Sequence, residues 1–117
     1  MLNDLDPSSF DNVYLATGYT DIRKGIDGLV VMIQENFQLD PFSKSIFLFC
    51  GRRPDRIKAV CYEGDGFLLC YKRLASGKFQ WPRTDAEARN LSKEQFQCLM
   101  KGWAIDPSIH EFKPRVI

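Results

Sequence analysis

The sequence predicts an α+β fold in a single domain: an antiparallel β-meander of three to four strands packed against a long N-terminal helix and a shorter C-terminal helix. Three observations carry this expectation. Ile22, Ile26, Leu29, Val30, Ile33 and Phe37 recur at helical spacing. SIFLFC (45–50), IKAVCYE (57–63) and GFLLCYKRL (66–74) are short runs rich in apolar, aromatic and β-branched residues, divided by turn signals. Phe96, Leu99, Met100 and Trp103 form a second helical stripe.

Residues 1–12 read as a loose lead-in, 13–103 as the domain and 104–117 as a tail. VYLAT (13–17) suits a first strand, and Gly18 and Tyr19 turn the chain. Thr20 is placed to cap a helix over 21–37, because its hydroxyl can accept a free N–H of the first turn. Asp21 puts negative charge at the positive end of the helix dipole, and Pro41 supports the stop. Gly25 and Gly28 would each cost this helix about 1 kcal/mol relative to alanine. Their spacing allows close packing on a strand or ring, or close approach of a ligand or nucleic acid. Arg23, Lys24 and Asp27 fall on the solvated side.

In the meander, EGDG (63–66) is a tight-turn signal, and Gly51, Pro54 and Asp55 mark a basic turn, GRRPDR. The register puts Lys58, Val60, Tyr62, Phe67, Leu69, Tyr71 and Arg73 on one face. Ile57, Ala59, Cys61, Leu68, Cys70 and Lys72 fall on the other, the smaller set, suited to lie under a helix. Phe79 and Trp81 alternate with polar neighbours, which predicts a short edge strand ended by Pro82. Residues 85–90 read as loop. Ser92 and Gln95 match a capping box opening the second helix, with Leu91 placed to staple Phe96. Gly102 marks its end.

The 117 residues suit one core that buries roughly 65% of the unfolded chain's surface. No apolar run approaches the roughly 18 residues of a membrane helix, and MLNDLDPSSFD is too acidic for a secretory signal, so a cytoplasmic protein is expected. Cys50, Cys61, Cys70 and Cys98 form no C-x-x-C pair, and His110 is the only histidine. The expectation is reduced core cysteines, no metal and no cofactor. There is no G-x-x-x-x-G-K-[ST] loop and no G-x-G-x-x-G. Asp21, Asp27, Asp55 and Asp65 are accounted for by turns, a helix start and a solvated face. A non-catalytic protein is therefore expected.

Charge distribution is more informative than the net +1. Residues 52–83 hold eight basic and three acidic groups, a local +5 that leaves −4 elsewhere. Arg52, Arg53, Arg56, Lys58, Lys72, Arg73, Lys78 and Arg83 are the candidate DNA-binding residues. Lysine and arginine neutralise phosphates without reading sequence, and exposed tyrosines on a sheet can stack on unpaired bases. A protein–protein adaptor is the rival reading, docking through Phe79, Trp81 and the glycine-bearing helix with Arg23 and Lys24.

Several motifs also carry a resemblance. TDIRKG, DPFS, the R-x-x-D-R-x-K loop, GDGF, YKRL and the G-x-F-x-W-P stretch span about Val13 to Gly102. Together they resemble the TnpB (Orf2-like) accessory-protein family of IS 66 bacterial insertion sequences. The longer RNA-guided nucleases of similar name carry zinc-ligand and nuclease motifs that this chain lacks. The resemblance implies a role in transposition beside a separate, larger transposase that performs strand transfer. Expected partners are DNA at the element ends, the transposase and other proteins of the element.

Overall fold

The computed structural model describes residues 1–106. Five strands form one sheet: β1 (Asn12–Ala16), β2 (Ser45–Cys50), β3 (Arg56–Tyr62), β4 (Phe67–Arg73) and β5 (Ala88–Asn90), in the order β4-β3-β2-β1-β5. Every residue of β2 is buried. An unbroken apolar run is what a central strand covered on both faces requires. β2, β3 and β4 form the expected antiparallel meander, with Ala59 opposite Cys70 and Val60 opposite Leu69. At its turn Glu63 N donates to Gly66 O at 2.8 Å, and Gly64 takes φ +94°, a left-handed conformation open to glycine.

The sheet is not a pure meander, which corrects the predicted architecture. β1 pairs parallel to β2, with Val13 opposite Ile46 and Leu15 opposite Leu48. β5 adds an antiparallel edge to β1, where a loop was expected. A parallel pair needs a crossover, and residues 17–44 supply it. The residues flanking β5 extend this pairing: Thr17 N donates to Glu87 O (2.9 Å) and Leu91 N to Val13 O (2.7 Å).

The long N-terminal helix is also absent. Helix α1 covers only Ile26–Val31 and runs into one wide π turn, Met32–Asn36. Thr20 does not cap it. Its N–H is held by Cys50 O at 2.8 Å, so the chain is still crossing the end of the sheet there. The Asp21 carboxylate accepts from Arg23 N (3.0 Å), a local turn that competes with helix. Gly25, extended at ψ −163°, is the residue from which the helix starts. A Cβ on Gly25 would meet nothing, whereas one on Gly28 would lie 3.3 Å from the Lys24 side chain.

Both faces of the sheet are covered. α1 and its π turn bring Leu29 and Ile33 against Phe47, Phe49 and Val60. Helix α2 (Lys93–Met100) brings Phe96 and Leu99 to the other face, against Leu15, Leu48, Ile57 and Ala59. The lead-in is packed there too, since Leu2 and Pro7 are buried. Phe79 and Trp81 fill the same core from an irregular segment rather than an edge strand. The capping box of α2 forms as expected, with Gln95 N donating to Ser92 Oγ at 3.1 Å and Ser92 N to Gln95 Oε1 at 2.8 Å. The part of the expected tail from 107 onward, with His110, lies outside the described residues.

Candidate nucleic-acid interface

Because β1 and β2 are parallel, their carboxyl ends, Ala16 and Cys50, lie at the same end of the sheet. Segments 17–25 and 51–55 leave side by side from that end, which is where open α/β sheets commonly hold ligands. Arg83 fastens them together. Its guanidinium donates to Gly18 O (2.6 Å), Gly51 O (3.0 Å) and Arg52 O (3.4 Å), and reaches Cys50 Sγ at 3.8 Å. Gly18 holds its position at φ +77°. Two further bonds fix the neighbouring loop: Leu74 N to Asp55 O (2.7 Å) and Phe79 N to Pro54 O (2.8 Å).

On this frame sits a rim of cations. Arg52 and Arg53 are exposed. Arg52 donates to the Tyr19 hydroxyl at 3.0 Å, and its Cζ lies 4.5 Å from the Tyr19 ring centroid. Lys58 Nζ donates to Lys24 O at 2.8 Å and lies 5.3 Å from the Tyr71 centroid. Arg73 stands opposite Arg56 in the ladder. Arg56 is half-buried and paired with Asp55 at 2.9 Å, a bond that lowers the Asp55 pKa and raises that of Arg56. Arg23 forks onto Asp21 at 2.9 and 2.8 Å, which holds the Asp21 carboxyl well below the usual range.

The fold thus brings Arg52, Arg53, Arg56, Lys58 and Arg73 to one end, and the 74–79 loop carries exposed Lys78 alongside. Two of the eight expected cations are placed differently. Lys72 is on the opposite face of β4, bonded to Asn3. Arg83 has its guanidinium engaged by backbone carbonyls. The expected partner residues divide as well. Phe79 and Trp81 are core, 2% and 6% exposed, and Trp81 Nε1 donates to Ala16 O at 2.9 Å. Arg23 and Lys24 are exposed beside the arginine loop. Sequence reasoning took Tyr19 only as part of a turn. A large ring between glycine and a Thr–Asp pair, outside any apolar period, was the available signal.

The far end of the sheet has the opposite character. Phe42, Tyr62 and Phe67 form a three-ring cluster with centroids 5.0 to 5.2 Å apart. Exposed Asp40, Glu63 and Asp65 lie in the turns around it. Among the described residues no group of three or more His, Cys, Asp or Glu could hold a metal ion, and no helix is long and apolar enough to cross a membrane.

The sequence model of a family described as IS66 Orf2 like protein matches residues 11–109. The uncharacterized protein y4jC of Sinorhizobium fredii is 35% identical over 98 residues, covering 84% of both chains. A second uncharacterized protein of that organism, y4hO, is 37% identical over 90 residues, covering 77% of this chain and 78% of its own. No solved structure matches the chain. The family match covers most of the sequence: the chain belongs to the IS66 Orf2-like family, accessory proteins associated with insertion-sequence transposition.

Proposed function

We propose that this accessory protein grips DNA phosphates with the basic rim at the carboxyl ends of β1 and β2. The observation that carries the reading is convergence. Lys24, Arg52, Arg53, Lys58 and Arg73 come from separate segments of the chain, yet they line one end of one sheet. In this reading the protein supplies binding and positioning, while strand transfer belongs to the element's transposase. Phosphate neutralisation releases counterions, so affinity should fall steeply with salt, with a log–log slope of about −0.9 per phosphate on duplex DNA.

The test is fluorescence anisotropy with a labelled duplex carrying an element end, across a salt series. Arg52→Ala/Arg53→Ala should weaken binding and flatten the slope by about two. Failure of the wild-type protein to bind at low salt would remove the reading. The adaptor reading would then rest on the opposite end, where Phe42 is 55% exposed against Tyr62 and Phe67.

A further inference from the structure

The rim carries more than charge. Tyr19 is 57% exposed and Tyr71 53%, far above the core aromatics. Each has a cation against its ring: Arg52 at 4.5 Å from Tyr19, Lys58 at 5.3 Å from Tyr71. Neither cation swings freely. Arg52 also bonds the Tyr19 hydroxyl at 3.0 Å, and Lys58 is anchored on Lys24 O at 2.8 Å. Two aromatic rings are therefore held in place along the line of phosphate-binding groups, and much of each is open to solvent.

An aromatic platform has little use against intact duplex. Paired bases are stacked inside, and the outside offers phosphates, sugars and base edges. A ring face can stack only on a base already out of the helix, and every base offers such a face whatever its sequence. Basic residues interleaved with aromatic platforms are the combination that tracks a single strand. Arginine beside the ring adds a second flat surface, this one charged, for the neighbouring base.

We propose that the rim binds unpaired DNA, with Tyr19 and Tyr71 each stacking on a base while Arg52, Arg53, Lys24 and Lys58 hold the phosphates between them. This rests on the phosphate-gripping reading above and specifies the form of DNA it takes. The ligand class is a single strand, or a strand end frayed from its duplex, with weak sequence preference.

The experiment compares a labelled single-stranded oligonucleotide with the duplex of the same sequence, by anisotropy at one fixed salt. The intact protein should bind the single strand more tightly. Tyr19→Ala and Tyr71→Ala should each lose about tenfold or more on the single strand, as for base–aromatic stacking elsewhere, and much less on the duplex, where only the anchoring of Arg52 or Lys58 is lost. Tyr19→Phe, which keeps the ring, should retain single-strand affinity within a few-fold. A thermal melt matching that of the intact protein reports that each variant is folded. Equal affinity for both forms, or alanine variants that bind the single strand like wild type, would overturn the stacking proposal and leave phosphate gripping standing. Arg52→Ala/Arg53→Ala without effect on either form would instead overturn phosphate gripping, and the stacking proposal with it.

Discussion

Arg83 donates a 3.0 Å hydrogen bond to the carbonyl of Gly51, and the same guanidinium holds Gly18 across the gap. One side chain thereby ties together the loops that follow β1 and β2. A bond from a charged donor contributes about 1.5–3 kcal/mol, and less at an exposed position. Arg83→Ala is expected to lower stability by about 1–2 kcal/mol. Arg83→Lys should recover little, because an ammonium cannot fork across carbonyls set this way. Urea unfolding measures both. A midpoint unchanged in the alanine variant would mean that the loops hold themselves.

Trp81 supports the same region from below. Its Nε1–H donates to Ala16 O, and the ring is buried among the residues of the α2 face. Trp81→Phe keeps most of the bulk and withdraws the donor, so the Ala16 carbonyl loses that bond in a dry setting. The expected cost is about 1–3 kcal/mol in the isolated protein, read as a fall of several degrees in the melting midpoint. A partner-contact residue would behave oppositely, with an unchanged melt and loss only in a binding assay.

What the sequence shows depends on how local the deciding interaction is. The Ser92–Gln95 capping box is complete within four residues, and it forms as written. β2 is bounded by turn residues and apolar from Ile46 to Cys50, so its limits were readable. The stripe from Ile22 to Phe37 has true helical spacing, yet its first turn is overridden by the bond from Thr20 N to Cys50 O, thirty residues away. β5 is three residues long and pairs with a strand more than seventy residues earlier, leaving no local period to find. Phe79 and Trp81 alternate like an edge strand because both rings enter the core while Gln80 stays exposed. The arginine loop was visible from charge alone. Its grouping with Tyr19 and Lys24 depends on the parallel β1–β2 pairing, which composition does not encode.

Cys50 closes β2 beneath the rim, 1% exposed, and burial pushes its thiol from 9.0 up to about 11, outweighing the opposing pull of Arg83. The native thiol should resist a thiolate-seeking reagent at pH 8 and react once the chain is unfolded in urea. The linkage has a definite sign. The folded pKa is the higher one, so the unfolded state releases its proton first as pH rises. The contribution to stability is fully present below about 9.0 and is lost between there and about 11. Urea midpoints measured across that window should fall more steeply for wild type than for Cys50→Ala. Parallel slopes would show that Cys50 is not the titrating group.

Arg73 lies directly opposite Arg56 in the β3–β4 ladder, on the edge strand of the sheet. Like charges in that position destabilise a sheet by roughly 0.2–1 kcal/mol. Asp55 neutralises Arg56, but among the described residues Arg73 has no ion-pair partner. Two pressures could favour such a pair. A charge of either sign on an edge strand discourages edge-to-edge aggregation, whereas only a cation grips phosphate. Arg73→Glu separates them. It keeps an edge charge and turns the repulsion into attraction, so the variant should aggregate no more than wild type and gain up to about 1 kcal/mol in urea. If phosphate binding is the reason for the arginine, the same variant should lose DNA affinity and flatten the salt slope by about one. DNA binding equal to wild type, with stability raised, would reduce Arg73 to edge protection and move the phosphate contacts to Arg52 and Arg53.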